Sequence, residues 1–288
     1  MIQQILVGLD GSVYSDAAMQ YGIAFAKAFR ADLHGLHVVD LVQVESPLLH
    51  DLAGAIGAAP QFNLTTLMRE NLEFRGQQLL AQFRQACEAA QIVYSDHLVT
   101  GVVPTEITRM SRDADIVLLG RGGLHTRLSK ALLGSVVETV VRSGVKPTMV
   151  STETSTDIRK PLLATDGSPP AMAALATATA FALQFGLPLG VVYCTSTPGR
   201  HEAFLDDIET RLTERGVVCT VDVCQGNAHE DLVQYIRDRG HDLLFMGAFG
   251  QQRIIEWVLG STTQYLLRTS PIPLMLCPAG ASEAAAAA

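Results

Sequence analysis

The residues best suited to chemistry are two Asp–Gly–Ser triplets, each placed directly after a short apolar run. Asp10-Gly11-Ser12 follows the run 5–9, and Asp166-Gly167-Ser168 follows the run 162–165. Short continuous apolar runs of this kind are typical of buried parallel strands. A carboxylate at the carboxyl end of such a strand can accept hydrogen bonds from an amino group or a sugar hydroxyl. Both triplets are therefore candidate binding positions.

A glycine pattern in the second half of the chain indicates a phosphate site. Gly247 and Gly250 follow an apolar run, and nine residues later comes Gly260-Ser261-Thr262, which gives the spacing G-x2-G-x9-G-S. Glycines let backbone amides approach a ligand closely. A helix that opens after Gly260 would present free N–H groups to an anion, with the hydroxyls of Ser261 and Thr262 as further donors.

The first half carries a related pattern with a longer spacing. Gly120-Arg121-Gly122-Gly123 is followed by ten residues, 124–133, before Gly134-Ser135. The extra residue leaves the competence of this first site open. Its loop holds the cations Arg121, Arg127 and Lys130, whereas the second loop has Arg253. These side chains either neutralise phosphates or are solvated loop charges.

An Asp–Gly–Ser triplet is followed by a glycine pattern in each half, so the chain contains a duplicated unit. Apolar runs alternate with helical patterns in both halves, which predicts α/β units, each a five-stranded parallel sheet flanked by helices. We predict a first domain at 1–151, a linker at 152–160, a second domain at 161–279 and a tail at 280–288. The first domain carries about 30 extra residues, which we assign to an insertion at about 41–67.

Composition narrows the functional classes. The 288 residues include 21 Lys and Arg against 29 Asp and Glu, a net charge of −8, which disfavours nucleic acid as a partner. Five cysteines without a CxxC pair are typical of reduced thiols. No signal peptide or membrane span is apparent, so a cytoplasmic location is expected. We expect no metal site, because His34 and His37 lie three apart on a strand and so on opposite faces.

The strand–Asp–Gly–Ser start, the G-x2-G-x9-G-S motif and the duplication together resemble the universal stress protein family in its tandem form. The resemblance covers the whole chain except the insertion and the linker. It implies two flavodoxin-like or adenine nucleotide alpha hydrolase-like domains with strand order 3-2-1-4-5. It also implies that the domains pair through their last strands, 148–150 and 274–276.

The resemblance further implies that the glycine loops bind ATP or ADP, with or without Mg²⁺, in a stress-response regulatory module. Carried over, the second site comprises Ala164, Thr165, Asp166, Tyr193, Met246, Gly247, Gly250, Gly260, Ser261 and Thr262. The first site comprises Leu9, Asp10, Val38, Leu119, Gly120, Gly123, Gly134, Ser135 and Val136. No catalytic residue is assigned, because no group that would orient water for hydrolysis stands at a defined spacing. A slow ATPase and a nucleotide-free interaction or chaperone-like protein remain alternatives, and further homodimerisation is left open.

Overall fold

The strands and helices alternate along the chain as the sequence predicts. The computed structural model describes residues 2–41, 64–123, 135–195, 201–226, 229–248 and 260–279. The strands in these ranges are β1 (Gln4–Gly8), β2 (Asp32–Asp40), β3 (Tyr94–Gly101), β4 (Ile116–Gly120), β5 (Thr148–Ser151), β6 (Pro161–Thr165), β7 (Leu189–Thr195), β8 (Cys219–Gln225), β9 (Leu243–Gly247) and β10 (Leu274–Cys277). The helices are α1 (Val13–Phe29), α2 (Leu64–Ala90), α3 (Val103–Met110), α4 (Ser135–Ser143), α5 (Pro169–Phe185), α6 (Glu202–Glu214), α7 (Glu230–Arg239) and α8 (Ser261–Thr269).

All ten strands form one sheet, in the order β3-β2-β1-β4-β5-β10-β9-β6-β7-β8. Each half therefore has the strand order 3-2-1-4-5, and all neighbours within a half are parallel. The two halves join through β5 and β10, which pair antiparallel with Met149 opposite Met275. The predicted α/β fold and the predicted pairing of the last strands are confirmed.

Helices cover both faces of the sheet, which explains why central strands such as β4 and β9 are apolar and buried along almost their whole length. The edge strands β3 and β8 contain polar residues. The first apolar cluster contains residues of α1, α2, α5 and α6, and the second apolar cluster contains residues of α3, α4, α7 and α8. Each cluster includes residues from both halves of the chain. The core is therefore continuous across the join.

The duplicated triplets set where the first helix of each half begins. Gly11 and Gly167 have φ values of 77° and 74°, a backbone conformation that favours glycine. Ser12 and Ser168 are then the N-caps of α1 and α5, and their hydroxyls accept hydrogen bonds from the N–H groups of residues 15 and 171. The turn and the cap together explain the repeated Gly–Ser pair.

Part of the predicted insertion lies in a longer helix. Helix α2 has 27 residues, whereas its counterpart α6 has 13. Residues 42–63, the remainder of the insertion predicted at about 41–67, lie outside the described residues. Between Ser151 and Pro161, where the linker is predicted, the chain has neither helix nor strand. This segment packs back on α1, because Tyr14 donates a hydrogen bond to Glu153 over 2.8 Å. Among the described helices, none combines the length and apolarity required to cross a bilayer.

Candidate functional site

The strand order creates one cleft in each half, at the carboxyl ends of two neighbouring strands. In the first half, β1 lies between β2 and β4. Helix α1, which follows β1, packs on one face of the sheet, and α4, which follows β4, packs on the other. The connections diverge and leave a crevice, which is where ligands bind in open α/β sheets. The strands β6 and β9 make the equivalent crevice in the second half.

An aspartate stands at the entrance of each crevice. Oδ1 of Asp10 accepts a hydrogen bond from the backbone N–H of Ser12 over 2.9 Å, and Oδ1 of Asp166 does the same for Ser168 over 3.0 Å. One oxygen of each carboxylate therefore holds the turn. Oδ2 of Asp10 faces Gly123, since a Cβ added to that glycine would lie 3.1 Å from it. The structure thus brings Asp10 and Gly123 together across the first crevice.

The second crevice ends at the start of α8. Gly260 is the N-cap of this helix and provides no side-chain hydrogen bond, and the first turn holds no acidic residue. Within the described part of the chain, no side chain is seen to cap the first N–H groups of α8, so an external acceptor can bind there. Ser261 is exposed in this turn and Thr262 is half-buried. The hydroxyl of the next residue, Thr263, is buried and donates to the carbonyl of Ala248 over 3.3 Å.

His229 lies beside the candidate site, and sequence reasoning missed it. It precedes α7, and its Nε2 lies 3.3 Å from Oγ of Ser261. Its ring stacks on Tyr265 of α8, with centroids 5.3 Å apart. The sequence could have indicated His229 through its position in the loop after β8, because that loop lies at the same edge of the sheet as the glycines. His229 therefore brings an imidazole ring to the start of α8.

The first crevice differs at the equivalent helix. Gly134 and the loop 124–133 lie outside the described residues, as does Gly250 in the second half. Ser135 begins α4, and Val136 packs against the second apolar cluster. Glu138 lies in the first turn of α4 and is ion-paired with Arg142. An acidic residue near this N-terminus makes it less favourable for an anion than α8.

Several predicted site residues have side chains in the core. Leu9, Leu119, Thr165 and Met246 are buried, and Ala164 is partly buried. The carbonyl of Leu9 already lies 2.7 Å from Nδ1 of His37, and Oγ1 of Thr165 accepts from the N–H of Gly167. Their side chains are therefore used in packing or in hydrogen bonds within the protein. Gly120 and Gly247 also serve packing, because an added Cβ would come within 2.9 Å of backbone at the starts of α1 and α5.

The register shows that Val38 and Tyr193 are not equivalent positions. Val7 of β1 pairs with Gly35, and its counterpart Leu163 of β6 pairs with Val191. Val38 lies three residues after Gly35 on β2, and Cys194 lies three residues after Val191 on β7. Cys194, the residue after Tyr193, is therefore the counterpart of Val38. Tyr193 instead packs on the α6 side of the sheet, where its ring stacks on His201 with centroids 4.2 Å apart. The sheet therefore directs Val38 and Tyr193 to opposite faces.

Arg121 points away from the first crevice. Its Nη2 donates a hydrogen bond of 2.7 Å to the carbonyl of Ser270, in the second half of the chain. Its Nε is buried and has no hydrogen-bond partner among the described residues. Burial lowers the pKa of Arg121, while Tyr14 and Glu153 act in the opposite direction. Arg121 thus links the two halves, and the hypothesis that it neutralises phosphates is not supported by its position. Arg127, Lys130 and Arg253 lie outside the described residues.

Comparison with known proteins agrees with this duplicated architecture. The model of the universal stress protein family matches residues 1–151 and again residues 158–278. The chain therefore belongs to the universal stress protein family, in a form with two family domains.

Relatives of similar length support the same assignment. Universal stress protein Slr1230 of Synechocystis is 28% identical over 288 residues, covering 95% of this chain and 99% of its own. Universal stress protein Rv2005c of Mycobacterium tuberculosis is 28% identical over 302 residues, with 94% and 96% covered. The crystal structure of a universal stress protein from Archaeoglobus fulgidus matches with a TM-score of 0.76 at 22% identity, covering 96% of this chain and 98% of that one. This last likeness supports the fold alone.

Proposed function

We propose that this protein binds ATP or ADP in its strand-end crevices and acts as a stress-response regulatory module rather than as a catalyst. The observation that carries the proposal is the second crevice. There, the Asp166 turn at the end of β6 lies beside the end of β9, and α8 begins behind them at Gly260, an N-cap residue that has no side chain to cap the helix. A carboxylate suits an amino group or ribose hydroxyl, and an open helix terminus suits a phosphate.

Among the described residues, the groups at the starts of the two helices favour the second crevice. The start of α8 has His229 within 3.3 Å of Ser261 and no acid in its first turn. The start of α4 has Glu138, and the nearby Arg121 is committed to the carbonyl of Ser270. We therefore expect the second crevice to bind nucleotide more tightly. In either site Mg²⁺ would enter with the phosphates, as an ion that prefers oxygen ligands.

Thermal unfolding with added nucleotide tests the proposal. ATP at roughly 100 times its dissociation constant should stabilise the protein by about 2.7 kcal/mol, which raises the melting temperature by several degrees. Gly260→Val should remove most of this rise, because the new side chain would stand at the helix terminus. Gly134→Val, the matched variant of the first crevice, should remove less.

Each alternative function has its own result in this experiment. Unchanged melting temperatures with ATP, ADP and AMP, with and without Mg²⁺, would overturn nucleotide binding and favour a nucleotide-free interaction protein. Phosphate release that Gly260→Val abolishes would instead favour a slow ATPase. Equal losses in the two glycine variants would contradict the preference for the second crevice.

His229→Ala should weaken ATP binding about tenfold, the effect of losing one hydrogen bond of about 1.5 kcal/mol to a charged group. Isothermal titration at low salt measures this change, and AMP, which has a single phosphate, should lose less affinity than ATP. His97→Ala is the control, because His97 lies on β3 and bonds Ser95 instead. An unchanged ATP affinity in His229→Ala would exclude the imidazole from the phosphate site.

A further inference from the structure

Two cysteines face each other at the carboxyl edge of the second domain. Cys194 on β7 and Cys224 on β8 are direct register partners in a parallel pair. Partners in such a pair point to the same face of the sheet, and both cysteines pack against the second apolar cluster. Their thiols are hydrogen-bonded to one another. The equivalent partners in the first half are Val38 and Val99, so the thiol pair is specific to the second half.

We infer that Cys194 and Cys224 are a redox site, at which a hydroperoxide forms a reversible disulfide between β7 and β8. Neighbouring strands are about 4.8 Å apart, which falls within the range of about 4.4–6.8 Å between the Cα atoms of disulfide-bonded residues. The backbone therefore needs no large movement to form the bond. The inference does not depend on nucleotide binding.

The position of the two thiols assigns their order of reaction. Strand β8 is at the edge of the sheet, whereas β7 is covered on both sides by neighbouring strands. Burial raises the pKa of Cys224, the hydrogen bond from Cys194 lowers it, and the carboxylates of Asp231 and Asp222 raise it. For Cys194, burial and the neighbouring Cys224 both raise the pKa. Cys224 is therefore the thiol that ionises first and reacts first.

The reaction balances with hydrogen peroxide as the oxidant. The Cys224 thiolate attacks one peroxide oxygen, the O–O bond breaks, and the departing hydroxide takes up a proton to become water. The sulfur of Cys194 then attacks the sulfur of the Cys224 sulfenic acid. The S–O bond breaks, and the proton of Cys194 leaves with that oxygen as a second water. The two thiols lose two electrons, and the peroxide gains them; a dithiol reductant reverses the change.

The groups that face the pair make the reaction slow at neutral pH. Asp222 lies on β8, and Asp231 and Tyr235 lie on α7, with Arg239 ion-paired to Asp222. Since the thiolate is the reactive form, the rate of oxidation should rise about tenfold per pH unit below the pKa. The pair is thus suited to sustained oxidant exposure rather than to fast peroxide removal.

Counting free thiols after treatment with hydrogen peroxide tests the inference. The full chain should lose two of its five free thiols, and dithiothreitol should restore them. Peptide mapping of the oxidised protein should identify a disulfide between Cys194 and Cys224. Cys87 and Cys277 are fully buried and should stay reduced. Cys219→Ser, which alters another thiol of β8, should leave the loss of two thiols unchanged.

Valine variants give the decisive comparison, because valine occupies both equivalent positions in the first half and should preserve the fold. Cys224→Val should abolish the loss of two thiols. Cys194→Val should stop the reaction at a Cys224 sulfenic acid, which dimedone traps. The inference is overturned if the parent chain keeps all its thiols, if the mapped bond joins other cysteines, or if Cys224→Val still loses two thiols.

Discussion

Phe25→Ala is expected to lower the free energy of unfolding by about 3–5 kcal/mol, the usual cost of removing a buried aromatic ring. Phe25 lies on α1 in the first half and is completely buried. Its ring makes an edge contact with Phe181 of α5 in the second half, with centroids 4.9 Å apart, and a similar contact with Phe185 at 6.0 Å. The cavity would therefore open between the domains rather than inside one of them.

The loss of unfolding free energy can be measured by urea unfolding, monitored with two independent probes. The apolar clusters contain residues of both halves. We therefore expect a single unfolding transition in the variant, with its midpoint at a lower urea concentration and an unchanged m value. Phe74→Ala on α2 is the control, since Phe74 is 59% exposed and should change stability by less than about 0.5 kcal/mol. Two separate transitions in the parent protein would contradict a continuous core.

Gly120→Ala is expected to destabilise the protein by about 1–3 kcal/mol, the usual cost of overpacking. An added Cβ would lie 2.7 Å from Cβ of Tyr14 and 2.9 Å from the backbone N of Ser15. Relief would require moving the start of α1 away from β4. Gly123→Ala is the matched control, because the one contact of its Cβ with a described residue would be with Oδ2 of Asp10, at 3.1 Å.

The two glycine variants separate packing from binding. Gly123→Ala should keep nearly full stability and reduce nucleotide binding at the first crevice, whereas Gly120→Ala should lower the urea midpoint. Gly247→Ala should behave like Gly120→Ala, since its Cβ would lie 2.8 Å from the backbone N of Ala171 and from Cβ of Pro170. If Gly120→Ala unfolds at the same urea concentration as the parent, Gly120 is not required for helix packing.

The duplication, the α/β class and the strand-end position of the two triplets could all be predicted from the sequence, because each rests on local pattern. Asp10 and Asp166 each follow an apolar run too short for a helix, and each precedes a glycine and a serine. These residues specify the strand, the positive-φ turn and the N-cap within a few positions. The pairing of the last strands came from the family resemblance.

Only the tertiary structure decided which side chains share a crevice. A one-residue change along a strand moves a side chain to the other face. The strand register therefore shows that Cys194, and not Tyr193, is the second-half counterpart of Val38. His229 meets Ser261, and Arg121 meets Ser270, across 32 and 149 residues of chain. Such contacts follow from how the strands are ordered and how the halves dock, which local sequence patterns do not encode.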